Sequence, residues 1–84
     1  RTIEHLSSRS VKGKISSYLL DEFQQNETKS FKFSMKRHEI ADYLGIPRPS
    51  LSREMANMKR EGLIDYDRQT ITIHNLIGLE KAIN

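Results

Sequence analysis

The hydrophobic positions of the chain change period several times, and each change marks an element. After Ser10, whose hydroxyl suits the first turn of a helix, Val11, Ile15, Tyr18, Leu19 and Phe23 recur three and four residues apart with polar residues between them. That spacing predicts a helix from Ser10 to about Gln25. The polar run Asn26-Glu27-Thr28-Lys29-Ser30 ends it, and Phe31-Lys32-Phe33 alternates as a short strand does. A second helix is expected over Arg37 to Leu44, with Ile40, Ala41 and Leu44 facing inward and Gly45 supplying a left-handed stop.

Gly45-Ile46-Pro47-Arg48 is a tight connection, and Pro49 falls in the first turn of a third helix, where a missing N–H is harmless. This helix is expected over about residues 49–61, closed by Gly62. At 100° per residue Leu51, Met55 and Met58 lie within about 60° of one another as a buried stripe, and Arg53 and Arg60 point the opposite way. Leu63-Ile64-Asp65-Tyr66 and Thr70-Ile71-Thr72-Ile73 read as strands joined by Asp67-Arg68-Gln69, a hairpin over residues 63–74. Asn75 caps a last short helix from Leu76 to about Ile83. The expected fold is mainly α with a small antiparallel β wing. Two short helices joined through a glycine and followed by a hairpin have the order of a winged helix-turn-helix.

Length and charge narrow the function classes. A chain of 84 residues supports one modest core and leaves little room for a deep enzyme pocket. Fourteen Lys and Arg against eleven Asp and Glu give a net charge of +3, which favours an anionic partner. With no cysteine, a disulfide framework, a thiolate zinc site and a cysteine nucleophile are all excluded. No apolar run approaches the roughly 18 residues of a membrane span, and a cytoplasmic location is expected. Serines are present, but none stands in a G-x-S-x-G elbow, and no glycine-rich phosphate loop occurs. His38-Glu39-Ile40-Ala41-Asp42 is similar to a zincin helix with its second histidine replaced, yet lacks a third ligand, so Glu39 is expected to serve the start of its own helix instead. No catalytic, metal or cofactor site is expected.

The chemistry that remains sits on the third helix and the hairpin. An exposed helix fits the major groove of B-DNA, and Arg53 offers the bidentate fork that guanine O6 and N7 accept. Ser50 and Ser52 donate to phosphates or base edges, and Arg48 stands where the helix start already attracts an anion. Arg68 and Gln69 at the hairpin tip reach a neighbouring backbone, and Lys36 and Arg37 are expected to clamp the strand on the other side.

The stretch Arg37-His38-Glu39-Ile40-Ala41-Asp42-Tyr43-Leu44-Gly45, then Arg48-Pro49-Ser50-Leu51-Ser52-Arg53-Glu54-Met55 and Glu61-Gly62-Leu63-Ile64, resembles the C-terminal domain of the Crp/Fnr transcription regulators of bacteria. The resemblance implies sequence-specific binding of double-stranded DNA by a homodimer, with RNA polymerase a further candidate partner. It places base reading on Arg48, Pro49, Ser52 and Arg53, beside the phosphate contacts that the chemistry of the residues themselves suggests for Lys36, Arg37, Ser50, Arg68 and Gln69. Pro49 departs from the family, many members of which carry a cytosine-reading Glu there. Lys36 departs too, standing where a Ser or Thr cap is usual. The family also implies an N-terminal effector-sensing β-barrel, which would hold any effector, and a long dimerisation helix. Residues 1–9, with Ile3 and Leu6, are expected to be a hinge and the end of that helix, and residues 10–84 the DNA-binding domain. Two rival readings stand beside this one: a winged helix used as a protein-protein module, which calls for an apolar or acidic third helix, and a small hydrolase, which calls for a histidine beside a nucleophile.

Overall fold

The Ser10 hydroxyl accepts the Gly13 N–H at 3.0 Å, and from that cap runs α1 (Val11–Asn26). The computed structural model describes residues 10–83, and the expected hinge and dimerisation-helix end at residues 1–9 lie outside the described residues. α1 passes the expected Gln25 and stops where Glu27 turns left-handed at φ 57°, its N–H donating to the Phe23 carbonyl at 2.7 Å. There follow β1 (Ser30–Lys32), α2 (Arg37–Leu44), α3 (Arg48–Arg60), β2 (Ile64–Tyr66), β3 (Thr70–Ile73) and α4 (Leu76–Ile83). The Asn75 side chain accepts the Gly78 N–H at 2.9 Å at the start of α4.

α2 and α3 end by the same device. Gly45 at φ 71° and Gly62 at φ 82° adopt the left-handed conformation that a side chain would disfavour. The residue after each is apolar and buried, and its N–H reaches back: Ile46 to the Ala41 carbonyl and Leu63 to the Met58 carbonyl, both at 3.0 Å. A satisfied carbonyl and an anchored side chain thus fix the direction in which the chain leaves each helix. α3 begins one position earlier than the sequence reading has it, with Pro47 as the extended cap residue and Pro49 inside the first turn. Neither proline gives up a helical hydrogen bond there, and the Leu51 N–H closes the turn on the Pro47 carbonyl at 3.0 Å.

The sheet has one strand more than the expected hairpin. Its order is β1-β3-β2, antiparallel throughout, with Ile71 of the central strand opposite Phe31 on one side and Tyr66 on the other. β1 also begins at Ser30 rather than Phe31, since Ser30 already pairs with Thr72, and it ends at Lys32. The Phe33 N–H still donates to the Gln69 carbonyl at 2.8 Å. Ile71 and Ile73 point into a core shared with Leu19 of α1, Ile40 of α2, Leu51, Met55 and Met58 of α3, and Leu79 of α4. Ala41, 1% exposed, gives α3 room to lie close to α2.

Candidate nucleic-acid interface

With Leu51, Met55 and Met58 in the core, the rest of α3 is turned outward by geometry. Arg48, Lys59, Ser52, Ala56, Pro49, Arg60 and Arg53 are exposed and cover about 140° of the helix circumference. Ser52, Ala56 and Arg60 form a row four residues apart whose first two side chains are short, so a partner surface can approach the backbone there. Ser50 lies beyond the edge of this arc and is half-buried. Arg60 donates to the Asn57 side chain at 2.9 Å.

The wing tip is organised by one carboxylate. Asp67 accepts the Thr70 N–H at 2.8 Å, the Gln69 N–H at 2.9 Å and the Thr70 hydroxyl at 2.9 Å, and its own N–H donates to the Thr70 carbonyl at 3.0 Å. These donors, the Thr70 N–H foremost, hold the Asp67 carboxyl below the usual carboxylate range. Arg68 and Gln69 are presented to solvent by this turn. Asp65, two residues earlier in β2, is held low chiefly by Lys59, whose ammonium lies 3.2 Å from it.

Lys36 lies beside the wing and not across from it. Lys32, Lys36, Arg68 and Gln69 line one groove of about 410 Å³, together with Phe33, Ser34, Met35 and Glu39. The ammonium of Lys36 has no lone pair with which to cap α2. Only the return half of a capping box therefore forms, the Glu39 carboxylate accepting the Lys36 N–H at 2.8 Å. Arg37 is turned inward to the wing: its guanidinium carbon lies 4.9 Å from the ring centroids of both Phe33 and Tyr66, and Nη2 donates to the Asp67 carbonyl at 3.1 Å.

Among the described residues two ion pairs form, Lys12–Glu61 at 2.6 Å and Lys59–Asp65 at 3.2 Å. Lys32, Lys36, Arg48, Arg53 and Arg68 are therefore cations without a carboxylate partner in that set. Uncancelled positive charge of this kind raises the local concentration of an anionic partner. A separate groove, lined by Tyr18, Asp21, Glu22, Ser34 and Tyr43 among others, carries carboxylates and no base. Among the described residues no three His, Asp or Glu side chains meet as metal ligands, and no helix is long and apolar enough to cross a membrane.

The sequence reading missed Lys32, Lys59 and Tyr66 as members of this site. Lys32 carries a legible signal, an outward-pointing base between two alternating aromatic residues, whereas the convergence of Tyr66 with Arg37 and Lys59 depends on how three separate elements pack.

A family model described as the Crp-like helix-turn-helix domain matches residues 13–82. The transcriptional regulatory protein btr of Bordetella pertussis is 36% identical over 53 residues, which are 63% of this chain and 22% of that protein. Among solved structures, a transcriptional regulator of the Crp/Fnr family from Eubacterium rectale superposes with a TM-score of 0.82 at 30% identity, covering 96% of this chain and 37% of that one. The catabolite activator protein of Thermus thermophilus shares the fold, with a TM-score of 0.75 at 22% identity over 98% of this chain and 38% of its own. The chain thus spans well under half the length of each of these proteins.

Proposed function

The chain belongs to the Crp-like helix-turn-helix domains, and from that premise we propose that it is the part of a Crp/Fnr-type regulator that reads double-stranded DNA by sequence. The exposed arc of α3 enters the major groove and the hairpin 63–74 lies on the adjacent backbone. What supports this above all is the pairing of an outward α3 face carrying Arg48 and Arg53, unpaired among the described residues, with a groove lined by Lys32, Lys36 and Arg68.

Each side chain has a chemical task in this reading. Arg53 forks onto guanine O6 and N7, Arg48 and Ser52 donate to neighbouring bases, and Pro49, which can only offer apolar surface, meets a thymine methyl. Lys36, Arg68, Gln69 and Ser50 hold phosphates, which fix register and carry no sequence information. Arg37, already engaged by the wing, stands apart from that set. In the intact protein two copies bind half-sites about one helical turn apart, as two-fold helix-turn-helix regulators do. An upstream sensor domain takes the effector, and RNA polymerase is a further partner in the cytoplasm. No chemistry is asked of the domain beyond binding.

Electrophoretic retention of a mixed-sequence duplex at low salt tests the reading, because non-specific binding rests on phosphate contacts and fades with salt. Retention that weakens by about 0.9 in log–log slope for each phosphate contact is expected. A protein-protein module would leave the duplex unretarded at every salt concentration.

A further inference from the structure

Tyr66 receives one cation from each helix of the helix-turn-helix. The Arg37 guanidinium, from the first residue of α2, is centred 4.9 Å from its ring centroid, and the Lys59 ammonium, from the last turn of α3, lies 5.2 Å from the same point. Both cations also grip the wing by polar contacts: Arg37 Nη2 donates to the Asp67 carbonyl at 3.1 Å, and Lys59 pairs with Asp65 at 3.2 Å. The Phe33 ring adds a second stack on Arg37, again at 4.9 Å.

We infer that Arg37 is a positioning residue for DNA binding, latching the wing through Tyr66 at a fixed angle to α2 and α3, and is not itself a phosphate ligand. Arg37 is half-buried with its guanidinium against two rings, and one of its five donors is already given to Asp67. The Asp67 carbonyl it grips belongs to the residue whose side chain closes the turn that presents Arg68 and Gln69. The latch therefore sets where the two tip side chains stand before DNA arrives, which is preorganisation of a binding loop. This inference rests on the DNA-binding reading for its consequence, though not for its geometry.

The test compares the full chain with Arg37→Ala, Arg37→Lys, Tyr66→Leu and the Arg37→Ala/Tyr66→Leu double variant. In the DNA-free protein, amide exchange at Gln69 and Thr70 is expected to quicken about tenfold in both Ala and Leu variants, with core amides such as Leu19 and Met58 unchanged. Affinity for a mixed-sequence duplex should fall by similar factors in the two, the double variant should fall no further than either, and Lys should not rescue, because it lacks the planar face. Arg37→Gln carries the same expectation and stands in should Arg37→Ala fail to fold. Unchanged exchange at Gln69 and Thr70 would remove the latch, and an affinity loss that Lys restores would make Arg37 a phosphate ligand; either overturns the inference. Because exchange is read without DNA, a chain that binds no duplex at all defeats the functional reading while the latch is still decided.

Discussion

Arg53 lies on the arc of α3 opposite the buried stripe, and among the described residues no carboxylate pairs with it. Its replacement by Ala should cost about 1–3 kcal/mol of affinity for a selected cognate duplex, the worth of one bidentate base contact, and leave binding to random DNA nearly unchanged. Fluorescence anisotropy on both duplexes reads this, and an equal loss on the two would place Arg53 on the backbone instead. Asp67 gives a prediction in pH. Its carboxyl is held below the ordinary range by the Thr70 and Gln69 amides, so its support of the wing is complete above the unfolded-chain value of about 3.9 and lost as pH falls through the lower folded value. Amide signals of Gln69 and Thr70 should keep their folded positions at pH 4 and drift towards disordered positions only below it, and Asp67→Ala should show the drift already at neutral pH. Residues whose role follows from their own helix were legible in the sequence, as with Leu51, Met55, Met58 and Glu39. Arg37 was not, since nothing in its neighbourhood along the chain announces that Phe33 and Tyr66 will close on it.

At the scale of elements, boundaries were legible where caps mark them and pairing was not. Ser10, Gly45, Gly62 and Asn75 each stand at the ends that their chemistry predicts. β1 was read as a strand, yet its place beside β3 is set by the core burial of Phe31 against Ile71, a contact between segments far apart in sequence. The wing is in consequence braced on both sides of β3. Leu51 is the wedge of the helix pair, 1% exposed in a core that also takes Ile40 and Met55. Leu51→Ala should destabilise the domain by about 2–5 kcal/mol in urea denaturation, the usual cost of a buried large-to-small change. Gly45→Ala makes an instructive contrast, because nothing lies within 4 Å of an added Cβ. Its cost should be only that of a left-handed non-glycine residue, about 1 kcal/mol, and a larger loss would mean that the turn carries more than backbone conformation.

For the whole molecule, the distribution of charge carries more information than the net value of +3. Among the described residues, unpaired bases stand on α3 and around the wing groove, with others at Lys14, Lys29 and Lys81, while the groove between α1 and Tyr43 has the carboxylates of Asp21 and Glu22 and no base. On the proposed reading, the bases of α3 and the wing groove draw a duplex to that side, and the carboxylates of the other groove repel it. The chain spans less than half the length of the regulators it matches. The central claim concerns which surface meets DNA, and amide chemical-shift mapping during titration with a duplex selected from a random pool tests it most directly. The largest changes are predicted at Ser50, Ser52 and Arg53 of α3 and at Arg68 and Gln69 of the wing, with Asp21, Glu22 and Tyr43 unmoved. Changes centred on the Asp21–Tyr43 groove, with α3 silent, would contradict the account.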